Sequence, residues 1–269
     1  MLVRLRFFAV FLSISSLFAF PSCGNEKLEQ KGFSVPSTRG KIATSPEKGI
    51  NKDSLDFATR PGNILLTGHQ GYRITPVYMV NYNERTERYF IGSNYFHSNY
   101  GGIGNSDSNN WNNNFLPGLE AVHGYNMVGA SLFYAKDQSQ TQLFQAPVLI
   151  KTLYYPTTSK DTLFGKAVNR NYYMASVYNQ DTNGDGFINL NDLRRFYWFN
   201  QSGELQEALI NEQYSVLKSE YDPYSDRMMV FAQLDENNNG QRDHGEQEHI
   251  FWIDLKNPAK RGVIYQPKS

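Results

Sequence analysis

Two twelve-residue segments in the C-terminal half of the chain carry oxygen-bearing side chains at the same positions. Residues 181–192 read DTNGDGFINLND, and residues 235–246 read DENNNGQRDHGE. Within each segment, positions 1, 3, 5, 9 and 12 are Asp, Asn or Glu, and position 6 is glycine. The segments align without a gap and start 54 residues apart. This spacing gathers oxygen ligands in one tight loop, twice in register.

A hard divalent cation is the ligand that suits such loops. Calcium takes about six to eight oxygens, and an EF-hand loop supplies them from side chains at positions 1, 3, 5, 9 and 12 and from the carbonyl at position 7. Both segments resemble EF-hand loops, and we name them loop A (residues 181–192) and loop B (residues 235–246). The predicted calcium ligands are Asp181, Asn183, Asp185, the Phe187 carbonyl, Asn189 and Asp192 in loop A, and Asp235, Asn237, Asn239, the Gln241 carbonyl, Asp243 and Glu246 in loop B.

Each loop departs from the EF-hand pattern at one position. Asp192 is shorter than the glutamate usual at position 12, so we expect a weaker or reshaped first site. Ile188 is the usual apolar residue at position 8, but Arg242 replaces it in loop B, and we do not expect ordinary pairing of the two loops there. Asp, Asn and Gly also form plain hairpin turns. The same ligand positions found twice in register favour a cation.

The residues around the loops predict a structural role for calcium. Each loop lies between β-type runs, so an ion would fasten a hairpin and would have no helix pair to open. Calcium outside the cell is abundant enough to fill sites of modest affinity. Because the chain has one cysteine, no intramolecular disulfide can stabilise it, and bound calcium would supply that stabilisation.

The chain from residue 61 to residue 269 is predicted to be an all-β domain. Short runs rich in Tyr, Phe, Val and Ile alternate there with Asn, Asp and Gly turns, and only residues 205–213 suggest a short helix. The spacing that superposes the loops also places Met174 on Met228 and Trp198 on Trp252. Two calcium-loop units follow, at about residues 148–210 and 214–266. These repeated units resemble β-propeller blades, and residues 157–171 are a partial insertion in the first unit.

The N-terminus predicts export and lipid attachment. Arg4 and Arg6 precede an apolar stretch at residues 7–20, and the only cysteine, Cys23, follows and is succeeded by polar residues. This order resembles a lipobox, although Phe20 stands where an aliphatic residue is usual. We predict a signal peptide over residues 1–22, lipidation of Cys23 and a disordered tether over residues 23–60. An ordinary signal peptide with an incidental cysteine is the alternative.

Other features narrow the choice of partner. The net charge of +0 argues against nucleic acid. His244 and His249 lie five residues apart, which does not fit a zinc-protease helix, and no nucleophile elbow, phosphate loop or dinucleotide motif occurs. The Asn-rich residues 94–117 hold several aromatics, Phe96 among them, that suit a sugar-binding surface, with an irregular insertion as the alternative. The candidate ligand residues are Tyr95, Tyr100 and Trp111.

Taken together, the two loops and the lipobox resemble those of the calcium-loop lipoproteins of Bacteroidota, which carry strand-flanked loops on a propeller-like β fold. The resemblance implies Ca²⁺ binding and a lipid-anchored position in the cell envelope, at the outer membrane facing the periplasm or the surface. The leading hypothesis is a non-enzymatic β domain that binds a glycan, peptide or partner protein. The alternative is an envelope hydrolase, for which the sequence offers no catalytic residues.

Overall fold

The computed structural model describes residues 32–35, 57–83, 86–91, 94–96 and 116–267, and over these residues the fold is all-β. The nineteen strands are β1 Phe33–Ser34, β2 Thr59–Pro61, β3 Leu65–Leu66, β4 Tyr72–Asn83, β5 Arg88–Ile91, β6 Asn94–Phe96, β7 Leu119–Tyr134, β8 Ser139–Gln142, β9 Leu149–Pro156, β10 Thr162–Leu163, β11 Lys166–Ala167, β12 Tyr172–Tyr178, β13 Phe187–Ile188, β14 Arg195–Asn200, β15 Leu205–Ala208, β16 Tyr214–Asp222, β17 Arg227–Leu234, β18 Glu248–Asp254 and β19 Arg261–Tyr265. The all-β prediction is confirmed. The suggested helix at residues 205–213 is wrong, because β15 pairs there with β14.

Both calcium-loop units are four-stranded antiparallel meanders. Strands β9, β12, β14 and β15 form unit one, and β16, β17, β18 and β19 form unit two. In each unit the loop connects the second strand to the third. Unit two is a sheet of its own, whereas unit one is extended by β7, β4 and β2, with β3 and β5 paired to β4 and β6 and β8 paired to β7, into a sheet of eleven strands. The two ends of this larger sheet, β15 and β2, do not pair with each other, so the described strands do not close into a ring.

The two units meet through equivalent faces. Met174 of β12 and Met228 of β17 are both fully buried in one hydrophobic cluster, and Tyr154 of β9 and Tyr221 of β16 lie in the same cluster. Propeller blades repeat by rotation about a central axis, so the front of one blade packs on the back of the next. Meeting face to face, the two units form a sandwich. The predicted blade arrangement therefore differs from the one observed for this pair.

The tryptophans do not correspond in the way that the ungapped alignment predicts. Trp198 is opposite Met174 in unit one, but the residue opposite Met228 in unit two is Ile253. A shift of one residue moves every side chain of a strand to the other face of the sheet. Trp252 consequently points away from the shared cluster, and the Arg227 guanidinium lies 4.1 Å from the centre of its ring.

A buried ion pair joins the insertion of unit one to the first turn of unit two. The Arg170 Nη2 atom donates to Asp226 Oδ1 at 2.6 Å, and both side chains are almost completely buried. Arg170 also donates to the carbonyl oxygens of Pro117 and Leu255. The guanidinium thus fills the polar gap between the two sheets and leaves its charge neutralised by one carboxylate.

Candidate metal centre

The same six hydrogen bonds, each from a backbone N–H group to a side-chain oxygen, occur in both loops. The carboxylate at position 1 accepts from the N–H groups of positions 5 and 6, and the side-chain oxygens at positions 3 and 5 accept from those of positions 5 and 7. The carboxylate at position 12 accepts from positions 2 and 9. In loop A the bonds run from Asp185 and Gly186 to Asp181, from Asp185 to Asn183, from Phe187 to Asp185, and from Thr182 and Asn189 to Asp192. In loop B they run from Asn239 and Gly240 to Asp235, from Asn239 to Asn237, from Gln241 to Asn239, and from Glu236 and Asp243 to Glu246.

These bonds turn the predicted ligand side chains toward the inside of each loop. The shorter side chain of Asp192 still reaches the two N–H groups that Glu246 reaches in loop B, at 2.7 and 2.9 Å against 3.0 and 3.1 Å. The expected reshaping at position 12 therefore does not extend to its backbone contacts. Within each loop, these hydrogen bonds connect the predicted ligand positions 1, 3, 5 and 12 to the same stretch of backbone.

The asparagine amides in the loops donate to carboxylates. Asn189 Nδ2 donates to Asp185 Oδ2 at 3.3 Å, and Asn239 Nδ2 donates to Asp243 Oδ2 at 2.7 Å. To ligate a cation, an asparagine side chain turns its oxygen inward instead. Among the described residues, no three His, Cys, Asp or Glu side chains already stand together as a metal-binding group. Both loops would therefore need amide and carbonyl oxygens beside their carboxylates, as calcium sites commonly do.

Asp192 is the most buried carboxylate of loop A. Burial raises the pKa of Asp192 to about 6, against hydrogen bonds from the backbone of Asn189, Thr182 and Asn183 that lower it. The nearby negative charge of Asp181 raises the pKa further. Loop A contains no lysine or arginine, and the positive charge that interacts with Asp192 comes from the buried Arg195 guanidinium just beyond the loop, which also interacts with Asp235 of loop B. A divalent cation would add to this single positive charge.

The two loops contact each other, but not at the EF-hand position. Asp192 at position 12 of loop A forms an isolated antiparallel bridge with Gln241 at position 7 of loop B. The Thr182 hydroxyl donates to the carbonyl oxygen of Gly240. Arg242 at position 8 takes no part in this bridge, in keeping with the expectation that ordinary pairing is absent. The two sites are therefore physically linked by a route that the sequence did not indicate.

An N-terminal strand occupies the side of loop A where a partner loop would pair. Strand β1 pairs antiparallel with β13, setting Phe33 opposite Ile188 at position 8. The Phe33 ring is 4% exposed and lies 5.2 Å from the ring of Phe57. Gly32 has φ +55, and a Cβ on it would lie 1.8 Å from the Ile188 carbonyl oxygen. Residues 32–35 and 57–60 fall within the predicted disordered tether but are ordered in the structure, because Phe33 is buried and β2 pairs with β4.

The contact between the loops predicts unequal effects of one substitution made at the same position of each loop. Gly186 and Gly240 both occupy position 6 with positive φ, so alanine strains the backbone of each by about 1–2 kcal/mol. A Cβ on Gly186 meets nothing within 4 Å, whereas one on Gly240 would lie 1.8 Å from the Thr182 carbonyl oxygen. We expect Gly240→Ala to lower the free energy of unfolding by about 1–3 kcal/mol more than Gly186→Ala, as measured by urea denaturation. Equal losses would contradict the contact between the loops.

The other predicted site residues do not join these loops. His249 is buried, and its Nδ1 lies 2.9 Å from the Tyr214 hydroxyl. Tyr95 lies in β6 opposite His123. Cys23, Tyr100, Trp111, the signal peptide and most of the predicted tether lie outside the described residues.

Sequence comparisons assign the chain to no group. No protein-family model matches it, and no curated protein matches it significantly. The function is therefore inferred from the geometry of the loops and of the remaining surface.

Proposed function

We propose that this protein is a lipid-anchored envelope protein whose β domain is stabilised by Ca²⁺ in loops A and B and binds a glycan, peptide or protein partner. The observation that carries the calcium proposal is the pair of loops with six equivalent backbone hydrogen bonds. Turn chemistry accounts for some of these bonds one at a time. It does not account for acceptors at positions 1, 3, 5 and 12 held inward in the same way in two loops.

Position in the sandwich explains what bound calcium would stabilise. Each loop joins the second and third strands of its unit, and loop A additionally carries β1 on its outer edge. An ion would therefore fasten two hairpins, the bridge between Asp192 and Gln241, and the N-terminal strand. Export and lipidation rest on Arg4, the apolar stretch and Cys23. No helix formed by the described residues is long and apolar enough to cross a membrane.

The calcium proposal is tested by counting ions. Isothermal titration of the metal-free full chain is expected to show two bound Ca²⁺, with dissociation constants between about 10 μM and 1 mM, the range from sensor to extracellular sites. Asp181→Asn and Asp235→Asn remove the position-1 carboxylate from one loop each. Either variant should bind one ion, and the variant carrying both should bind none.

Mg²⁺ serves as the matched control ion. It requires near-ideal octahedral geometry and gives up water reluctantly, so the loops should bind it much more weakly than Ca²⁺. Absence of Ca²⁺ binding in the millimolar range would refute the proposal. If both single variants still bind two Ca²⁺ ions, the binding sites lie outside loops A and B.

A further inference from the structure

The connection between the first and second strands differs between the two units. In unit two, β16 and β17 are joined by a short turn at residues 223–226. In unit one, residues 157–171 separate β9 from β12 and fold into the small hairpin of β10 and β11. Phe164 lies at the tip of this hairpin, and Tyr224 lies in the corresponding turn of unit two. The two side chains form an exposed aromatic pair, with ring centres 6.2 Å apart.

Folding does not explain the phenylalanine at this tip. Phe164 and Gly165 are the two turn residues, with φ of +49 and +75. Such a turn favours Asn, Asp or Gly, and a bulky side chain at positive φ is strained. The Phe164 side chain is 69% exposed, and Tyr224 beside it is 88% exposed. A strained residue that also exposes a large apolar surface is typical of a binding site.

A polar cavity lies at the base of the same hairpin. It is partly open to solvent with a volume of about 290 Å³, and the insertion supplies six of its ten lining residues. The backbone N–H of Val168 donates to the Asp161 carbonyl, which closes the base of the hairpin. Phe164 at the tip of the hairpin is three extended residues from Asp161 at its base, so the tip lies about 10 Å from the base. The lining residues are Gly68, His69, Gly118, Pro156, Thr157, Ser159, Val168, Asn169, Arg170 and Asn171.

Both charged side chains at this cavity already have hydrogen-bond partners. Arg170 is neutralised by Asp226, and Asp161 accepts from the backbone N–H of Gly118 at 2.8 Å. Burial lowers the pKa of His69 and so favours its neutral ring, against a hydrogen bond with the Arg170 backbone that raises the pKa. The His69 Nε2 atom is buried without a hydrogen-bond partner among the described residues. The cavity offers amides, hydroxyls and a neutral imidazole, which suit a neutral ligand rich in hydroxyl groups.

We propose that this end of the sandwich binds a neutral oligosaccharide, with the rings of Phe164 and Tyr224 against the apolar C–H face of a sugar and the cavity around His69 bonding its hydroxyls. Aromatic rings offer apolar contact at low entropic cost, and convergent polar groups fix orientation. A peptide or a bilayer surface would also use exposed aromatics, but neither requires the polar cavity. The proposal rests on the proposed function as a ligand-binding domain and names its ligand class.

Affinity electrophoresis tests this site. The full chain carrying Cys23→Ser, which cannot be lipidated, is run in native gels containing starch, mannan, xylan or mixed-linkage glucan. We expect at least one polysaccharide to retard it. Phe164→Asn and Tyr224→Ser should each reduce that retardation, corresponding to at least a tenfold higher dissociation constant for the polysaccharide. Asn fits the turn better than Phe, so the melting temperature of Phe164→Asn should equal or exceed that of the parent chain.

The control is another exposed aromatic pair. The rings of Tyr82 and Tyr89 lie 5.0 Å apart on β4 and β5, and Tyr89→Ser should leave retardation unchanged. Absence of retardation by all four polysaccharides would overturn the proposal, as would retardation insensitive to both site variants. Flotation of the same chain with phosphatidylcholine vesicles, lost in Phe164→Asn, would favour a membrane contact instead and would also overturn it. Calcium stoichiometry, measured on the same samples, reports on the metal proposal separately.

Discussion

Removing calcium is expected to lower the melting temperature of this protein by about 10–20 °C. A ligand that binds only the folded state stabilises it by about 2.7 kcal/mol when present at a hundredfold excess over its dissociation constant. Two filled loops would contribute about 5 kcal/mol on that basis. For a domain of this size, each kcal/mol shifts the midpoint by about 2–4 °C. Differential scanning calorimetry in excess calcium and in excess chelator measures the change.

The variant carrying both Asp181→Asn and Asp235→Asn is the control for chelation. Its melting temperature should already be low and should not respond to chelator, since the position-1 carboxylates are gone. Hydrogen exchange adds a local reading at β1. The Val35 N–H donates to the carbonyl oxygen of Gly186 in loop A, so it should exchange faster without calcium. If chelator leaves the melting temperature of the parent chain unchanged, calcium in the loops does not stabilise the fold.

The internal hydrogen bonds of the loops could be predicted from the sequence because they are local. Every acceptor and donor lies within twelve consecutive residues, so the positions of Asp181 and Gly186 in the chain determine their contacts. The repeat superposes Met174 on Met228, and the structure buries both, since equivalent strands of equivalent units bury equivalent positions. These features depend on spacing, which a single sequence displays directly.

The arrangement of the units depended on information that spacing does not contain. A one-residue difference in pairing separates Trp198 from Trp252, and nothing in the ungapped alignment marks it. The pairing of Phe33 with Ile188 joins residues 155 positions apart, and Phe33 lies in a segment that the sequence predicts to be a disordered tether. No pattern in the sequence marks Arg170 and Asp226 as a buried pair, because only the packing of two sheets buries them. The ligand surface proposed at Phe164 could not be predicted from the sequence, because only the structure shows the positive φ angle of this residue.

Breaking the buried ion pair between the sheets is expected to cause a large loss of stability. In Asp226→Asn the Arg170 guanidinium stays buried without a counter-charge, and this costs about 3–5 kcal/mol. Asn is well suited to isolate the charge. Asp226 has φ +54, a conformation that Asn tolerates, and an Asn oxygen can still accept from the Tyr221 hydroxyl, which lies 3.2 Å from Asp226 Oδ1. Urea denaturation in excess calcium gives the change in the free energy of unfolding.

An exposed ion pair in the same protein is the matched control. Arg261 makes two hydrogen bonds of 2.8 Å to Glu207, as good in geometry as the buried pair but open to water. Water and salt screen exposed pairs, so Glu207→Gln should cost less than about 1 kcal/mol. If Asp226→Asn costs no more than Glu207→Gln, the sheets are not held by the Arg170 charge pair. A large difference would show that the Arg170–Asp226 pair holds the two sheets together. Because Asp226 lies in the same turn as Tyr224, the stability of the fold would then depend on the turn that carries the proposed ligand surface.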